Sequence, residues 1–205
     1  MRRLTFIAFA TAAIGIGLYP VIYFLVDRRF GLLQTKTAEL LQDGLWNAGF
    51  YMHIVFGGIA LLSGWSQFHN GWRRTVPVIH RNLGKLYVLS VLFSGTAGLY
   101  LSWFASGGWV AKAGFAVLAV IWLRSTVQAW QHIRVGDIVR HREAMIYSYA
   151  ACFAAVMLRV WLPVLSIALG AFDPAYRIVA WLCWVPNMLV AIWLVRRQGI
   201  SVSDS

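Results

Sequence analysis

Six stretches of this chain are each long enough and apolar enough to cross a lipid bilayer as a helix. About 20 consecutive apolar residues span the hydrocarbon core of a membrane. The stretches are residues 4–26, 49–68, 83–104, 109–132, 144–169 and 176–195. Of the 205 residues, 60% are hydrophobic, so too few polar side chains remain to coat a soluble globule. The sequence therefore predicts an all-α, polytopic membrane protein with one integral membrane domain, residues 1–205.

The basic residues lie in short clusters between the apolar stretches. The chain has 18 Lys and Arg against 7 Asp and Glu, a net charge of +11. A nucleic-acid-binding protein would spread this charge over one face, so we expect membrane lipids as partners and no nucleic acid. With a cytoplasmic N-terminus, 11 basic residues fall on the cytoplasmic side and 5 near the other side. The positive-inside rule then predicts that both termini are cytoplasmic.

Two of the predicted cytoplasmic loops begin and end with the same residue types. The loop after the second span and the loop after the fourth span each begin with Gln and His and end in His-Arg. The matching residues are Gln67, His69, His80 and Arg81 in the first loop, and Gln131, His132, His141 and Arg142 in the second. We infer two helix hairpins related by a parallel repeat, which form a four-helix core from helices two to five. Four of the five histidines should then gather at the inner membrane interface.

Two interpretations of these four histidines remain open. An imidazole at headgroup depth can cap a helix end, and an adjacent Arg can bind lipid phosphate. Alternatively, neutral imidazoles on facing helices can hold a metal ion or haem, and His80 with His141 is the predicted metal pair. An inner haem would take one ligand from His69 or His80 and the other from His132 or His141.

His53 is set apart from the other histidines, toward the outer end of the second span. It shares one helical face with residues that are small or polar: Gly57, Ala60, Gly64 and Gln67. Small residues let helices pack closely in lipid, and the same face would also form a groove for a flat cofactor or a lipid tail. His53 is therefore a further candidate cofactor-binding residue.

Arg159 lies deep inside the fifth span, in the sequence AAVMLRVWLPVL. A charge there costs about 3 kcal/mol or more, and every Asp and Glu lies in a loop, at a helix end or in the tail. One alternative is a structural network, in which Pro163 and Pro186 break their helices and the released carbonyls meet Arg159 and Asn187. The other alternative is a guest: a haem propionate, a quinone oxygen, a lipid phosphate or a carboxylate substrate.

A set of motifs from residue 53 to about residue 191 occurs together in one known family. The motif residues are His53, Gln67, Phe68, His80, Arg81, Gly84, Tyr87, His141, Arg142, Met145, Tyr149, Leu158, Arg159, Pro163, Ala175, Tyr176, Arg177, Trp184, Val185, Pro186 and Asn187. In these residues the chain resembles the bacterial predicted membrane proteins grouped as the domain of unknown function twenty-three-oh-six. The resemblance implies a bacterial inner membrane protein. An acidic residue that often follows the VPN motif in that family is replaced here by Ala191 and Ile192.

The architecture of that family is similar to the membrane cytochromes of the ascorbate and ferric reductase type, in which four core helices hold haem through paired histidines. This likeness implies haem b as the cofactor, with Arg81, Arg142 or Arg159 on its propionates. A quinone or a redox protein would then be the partner. The competing hypothesis is a non-redox membrane protein that binds lipid or a small anion near Arg159, or acts as a partner subunit.

Overall fold

The computed structural model describes residues 3–26, 31–68 and 75–203, with side chains described over residues 4–26, 31–68 and 75–197. Within these ranges the chain is helical and has no β-strand. The helices are α1 (Arg3–Leu18), α2 (Ile22–Leu25), α3 (Ala38–Gln42), α4 (Gly44–Gly64), α5 (Pro77–Ser102), α6 (Gly108–Arg134), α7 (Ile138–Cys152), α8 (Ala154–Leu169), α9 (Phe172–Leu182) and α10 (Val185–Ser203). Three short 3-10 helices, Tyr19–Val21, Gly31–Thr35 and Trp65–Phe68, connect or extend them.

These helices form six apolar spans that are long enough to cross a membrane, so the predicted all-α, polytopic fold is confirmed. The spans are span 1 (Leu4–Leu25), span 2 (Gly44–Phe68), span 3 (Pro77–Ser102), span 4 (Gly108–Arg134), span 5 (Ile138–Leu169) and span 6 (Phe172–Arg197). The shortest has 22 residues, a helix of about 33 Å, which exceeds the roughly 30 Å thickness of the hydrocarbon core.

Four spans begin four to six residues earlier than their apolar runs predicted, at Gly44, Pro77, Ile138 and Phe172. Hydropathy marks the part of a helix in hydrocarbon, whereas caps outside the apolar run set where the helix begins. The Asp43 side chain accepts a hydrogen bond from the Trp46 backbone N–H at 2.8 Å, and Asp137 does the same for Arg140 at 2.9 Å. Proline stands at the start of span 3, where its missing N–H costs nothing.

The chain forms two compact units: unit 1 is Met1–Ser106 and unit 2 is Gly107–Ser205. Unit 1 contains spans 1 to 3, and unit 2 contains spans 4 to 6. Both predicted hairpins are present, because spans 2 and 3 pack along each other in unit 1 and spans 4 and 5 do so in unit 2. The joining of the two hairpins into one four-helix core, within a single domain, stays a prediction.

In unit 1, span 1 packs closely against span 2. A Cβ atom on Gly58 would lie 2.5 Å from the carbonyl oxygen of Gly17, so the two backbones are in direct contact. The loop before span 2 is tied to the end of span 3, because Lys36 Nζ donates to the Phe104 carbonyl at 2.6 Å and to Ser106 Oγ at 3.1 Å. Buried side chains hold this end of unit 1 together: Tyr23, Leu33, Leu41, Trp46 and Ile54.

In unit 2, span 4 packs against both span 5 and span 6. The buried hydroxyls of Thr126 and Ser148 are 2.6 Å apart and join spans 4 and 5. A Cβ atom on Gly114 would lie 2.7 Å from the carbonyl oxygen of Ala180, so span 4 also contacts the backbone of α9. A buried cluster fills the contact of α8 with span 6: Ala154, Val179, Cys183 and Trp184.

Candidate functional site

His53 lies further from the start of its helix than the sequence indicated. The apolar run was predicted to begin at residue 49, which put His53 near the outer end of the second span. Because the helix begins at Gly44, His53 is nine residues, or about 13 Å, along it. Its side chain is half-buried.

Ser94 faces His53 from span 3. Each of the two side chains contacts the backbone carbonyl of the other residue. His53 Nδ1 is 2.9 Å from the carbonyl oxygen of Ser94, while Ser94 Oγ donates to the His53 carbonyl at 2.8 Å and lies 3.2 Å from Nδ1. A carbonyl oxygen only accepts hydrogen bonds, so we assign the ring proton of neutral His53 to Nδ1. In that tautomer Nε2 is the nitrogen that accepts a hydrogen bond or coordinates a metal.

Two glycines make room for this pair. A Cβ atom on Gly98 would lie 2.9 Å from His53 Nδ1, and one on Gly57 would lie 3.1 Å from Ser94 Oγ. At Gly57 the small face of span 2 therefore serves close helix packing. Ser94 was not predicted, although a signal exists: Ser90, Ser94 and Gly98 recur every four residues and so share one face of span 3.

The other described histidines lie at helix ends. His80 and His141 each lie three residues after the first residue of their span, and His132 lies two residues before the last residue of span 4. All three side chains are half-buried. His69 lies outside the described residues. His80 belongs to unit 1 and the other two belong to unit 2, and the gathering of these histidines into one site stays a prediction.

His141 is oriented by the neighbouring span. Its Nδ1 is 2.8 Å from the carbonyl oxygen of Ala129, so neutral His141 also carries its proton on Nδ1. Among the described residues, no three His, Cys, Asp or Glu side chains lie close enough to hold a metal ion together. The predicted metal pair of His80 and His141 therefore gains no third ligand of these types from that part of the chain.

The candidate arginines differ in exposure. Arg81 and Arg142 are exposed beside the helix-end histidines. Arg159 is half-buried, and its Nη1 donates to the carbonyl oxygen of Ala155 at 2.9 Å, one turn earlier in α8. A backbone carbonyl therefore meets part of the hydrogen-bonding need of this guanidinium, although Ala155 is not one of the carbonyls that the structural alternative expected Pro163 and Pro186 to release.

Spans 5 and 6 are both interrupted near their centres. Span 5 is interrupted at Phe153, between α7 and α8, and span 6 at Cys183–Trp184, between α9 and α10. The second interruption was expected, since Pro186 has no N–H to bond the carbonyl of Leu182. The first was predicted at the wrong place, because α8 continues through Pro163. A long membrane helix tolerates a proline when neighbouring groups satisfy the one backbone carbonyl that it releases.

Asn187 links the two interruptions. Its Nδ2 donates to the carbonyl of Ala150 at 3.3 Å and to the carbonyl of Cys183 at 3.0 Å. Ala150 lies in the last turn of α7 and Cys183 follows α9 directly, so both carbonyls lie where a helix ends and lacks intrahelical donors. Asn187 therefore contacts the backbone at both interruptions, through the carbonyls of Ala150 and Cys183 and not through the Leu182 carbonyl that Pro186 was predicted to release.

Comparisons with known proteins give one result, at the level of the family. No curated protein and no solved structure matches this chain. A family model described as "Predicted membrane protein (DUF2306)" matches residues 50–195, which is more than half of the chain and includes His53, Ser94, Arg159 and Asn187. The resemblance drawn from the sequence motifs is confirmed, and the chain belongs to the DUF2306 family of predicted membrane proteins.

Proposed function

We propose that this protein is a haem-binding membrane electron carrier in which His53 is an axial ligand of the iron. The observation that carries the proposal is the 2.9 Å contact of Nδ1 with the Ser94 carbonyl. Histidines that ligate metals commonly donate their other ring N–H to a backbone carbonyl or a carboxylate. That bond fixes the tautomer and the ring orientation and makes the ligating nitrogen more basic. Ser94 gives His53 this arrangement.

The position of His53 within the apolar run of span 2 also supports the proposal. An ionisable side chain in the apolar part of a membrane span is costly, and such residues commonly serve function. Among the described histidines, only His53 lies more than a turn inside a span. His141 is the second candidate ligand, since its Nδ1 also donates to a backbone carbonyl, although it lies in the first turn of span 5.

Unit 1 supplies one other described histidine, His80. Two protein ligands of one haem iron would have to lie close together in space. His80 is 14 residues from Ser94 along span 3, a distance of about 21 Å, so it would not ligate an iron held by His53. Any second histidine ligand of such a haem would come from outside the described part of unit 1.

A bound haem would supply one-electron chemistry, and the protein residues would hold and orient it. His53 Nε2 would coordinate the iron, while Ser94 and Gly98 keep the imidazole in place. Arg81, Arg142 and Arg159 are the candidates for contact with propionates. A quinone or a redox protein is the proposed partner.

The test is the absorption spectrum of protein produced with a haem supply and purified in detergent. We expect a Soret band that shifts on reduction with dithionite, and a loss of most bound haem in His53→Ala. Val55→Ala is the matched control, because Val55 lies in the same span and its side chain has no atom that could ligate iron, and it should retain its haem. A colourless wild-type protein would refute haem binding, and equal haem content in the two variants would refute His53 as a haem ligand.

A second candidate function is the binding of a small organic anion near Arg159. The observation that favours it is the pair of interrupted spans joined by Asn187. Interrupted membrane helices place helix ends, with their partial charges, near the bilayer midplane, where transporters bind substrates and ions. Phe153 lies 15 residues into the 32 residues of span 5, and Arg159 follows six residues later.

Mass spectrometry of small molecules and lipids that co-purify with the protein tests this second candidate. Arg159→Leu should lose a bound anion that the wild-type protein retains. Arg124→Leu is the control, because Arg124 is a comparably central arginine that lies exposed on span 4. Equal retention by the two variants would exclude Arg159 as the anion-binding residue.

The proposed location is the bacterial inner membrane, with both termini in the cytoplasm. The support is the distribution of charge, with 11 basic residues on the proposed cytoplasmic side and 5 near the other. A green fluorescent protein fused to the C-terminus should fluoresce, and alkaline phosphatase fused at the same point should be inactive. The reverse pair of results would show that the C-terminus lies outside the cytoplasm.

A further inference from the structure

An open apolar groove of about 490 Å³ runs along span 6 in unit 2. Six apolar side chains line it: Val110, Ile178, Trp181, Leu182, Val185 and Pro186. The only charged residue that lines it is Arg177. One wall is fixed in position, because Trp181 Nε1 donates to the carbonyl oxygen of Val110 at 3.1 Å. The groove is therefore a preformed apolar surface with the guanidinium of Arg177 at one end.

The length of the groove matches one leaflet of a bilayer. From Arg177 to Pro186, across the interruption at Cys183–Trp184, span 6 advances nine residues, or about 13 Å at helical rise, and half of the hydrocarbon core is about 15 Å thick. Arg177 lies five residues after the first residue of span 6, and Pro186 lies near the centre of that span. The charged end is therefore at headgroup level, and the apolar part extends to about the midplane.

Arg177 is exposed and positioned to bind an anion. Its Nε donates to the Gly107 carbonyl at 2.8 Å, and in the described part of the chain this is its only hydrogen bond, so both Nη groups can bind a ligand. The close approach requires glycine, because a Cβ atom on Gly107 would lie 3.0 Å from Arg177 Cγ and the φ angle there is +83°. Asp173, one turn earlier, is exposed and not ion-paired to Arg177 in the described structure.

We propose that this groove binds one acyl chain of an anionic phospholipid, whose phosphate contacts Arg177. The guanidinium presents two N–H groups in the planar geometry that phosphate oxygens accept. A second copy of the chain is a poorer occupant, because with a net charge of +11 and only 7 acidic residues it offers little to pair with Arg177.

Native mass spectrometry of the full-length protein with added phosphatidylglycerol or phosphatidylcholine tests the proposal. We expect the wild-type protein to retain phosphatidylglycerol preferentially. Arg177→Gln should weaken that retention about tenfold, the loss expected for one charge-assisted contact. Arg196→Gln, an exposed arginine at the opposite end of the same span, should leave retention unchanged. Ile178→Trp, at an exposed groove position, should reduce retention by occupying the apolar surface while the cation remains.

Three results would overturn the proposal. They are equal retention of the two lipids by the wild-type protein, equal effects of Arg177→Gln and Arg196→Gln, and a wild-type dimer that Ile178→Trp dissociates. Arg177→Lys controls for a folding defect in Arg177→Gln, because lysine keeps the positive charge but lacks the planar pair of N–H donors of arginine. It should retain more phosphatidylglycerol than Arg177→Gln, and equal retention by the two would count against a phosphate at this position.

Discussion

Replacement of Gly98 by alanine should disturb the His53 ring directly, because Gly98 faces that ring between spans 2 and 3. The added Cβ atom would lie 2.9 Å from Nδ1 and 3.0 Å from Cε1, whereas favourable contacts lie at about 3.5–4.0 Å. The ring would have to move by roughly 0.5 Å or more. The reciprocal hydrogen bonds between His53 and Ser94 oppose that movement. Overpacking of this kind costs about 1–3 kcal/mol of folding free energy.

Gly84→Ala in the same span provides the matched control. A Cβ atom on Gly84 would meet Gln67 Oε1 at 3.6 Å, an ordinary van der Waals contact. Both variants gain about 1 kcal/mol of helix propensity, which cancels in their difference. Unfolding in mixed micelles of dodecyl maltoside and dodecyl sulfate should therefore show Gly98→Ala less stable than Gly84→Ala by about 1–3 kcal/mol. Equal unfolding midpoints would refute the assigned position of the His53 ring.

Three further predictions concern other hydrogen bonds. Ser148→Ala removes the 2.6 Å hydrogen bond between Ser148 and Thr126. A double-mutant cycle of Ser148→Ala with Thr126→Val should therefore give a coupling energy of about 0.6 kcal/mol, and zero coupling energy would contradict this hydrogen bond. Asn187→Leu leaves two backbone carbonyls without this donor and should cost about 1–3 kcal/mol of unfolding free energy, whereas Asn82→Leu, at an exposed position, should change it by less than about 0.5 kcal/mol. Equal costs would contradict the role of Asn187. Lys36→Met removes two bonds to the end of span 3 and should speed proteolysis around residue 36, and an unchanged cleavage rate would count against those contacts.

The number and order of the spans could be predicted, because each apolar run carries its own signal. The helix starts could not be predicted in the same way, since the caps Asp43 and Asp137 lie outside the apolar runs. This difference bears on the candidate site. Because span 2 begins at Gly44, His53 lies about 13 Å along the helix rather than close to its first residue.

Contacts between spans could not be predicted from local pattern alone. The pairing of Ser94 with His53 depends on the register and rotation of spans 2 and 3, which neither span encodes by itself. The interruption at Phe153 likewise has no local proline or glycine, and a side chain of span 6, Asn187, satisfies the carbonyl of Ala150 there. Pro163 carries a strong local signal, yet α8 continues through it. Tertiary context therefore decided where span 5 is interrupted, whereas Pro186 gave a local signal for the interruption of span 6.

The position of Arg159 inside an apolar run was readable from the sequence, and its hydrogen bond to the Ala155 carbonyl was not. The carbonyl of Ala155 is an acceptor from the same helix, which accounts for part of the hydrogen bonding without a guest. Among the described residues that line the open apolar groove is a different arginine, Arg177, which lies near the start of span 6. The two arginines therefore motivate separate experiments, one on a small anion at an interrupted span and one on a phospholipid.

The most direct test of the proposed haem ligation is chemical rescue of His53→Gly with free imidazole. Removal of the side chain should abolish the dithionite-sensitive Soret band, and imidazole added during reconstitution with haem should restore it by occupying the vacated ligand position. A Soret band that persists unchanged in His53→Gly, before any imidazole is added, would contradict the assignment of His53 as an axial ligand.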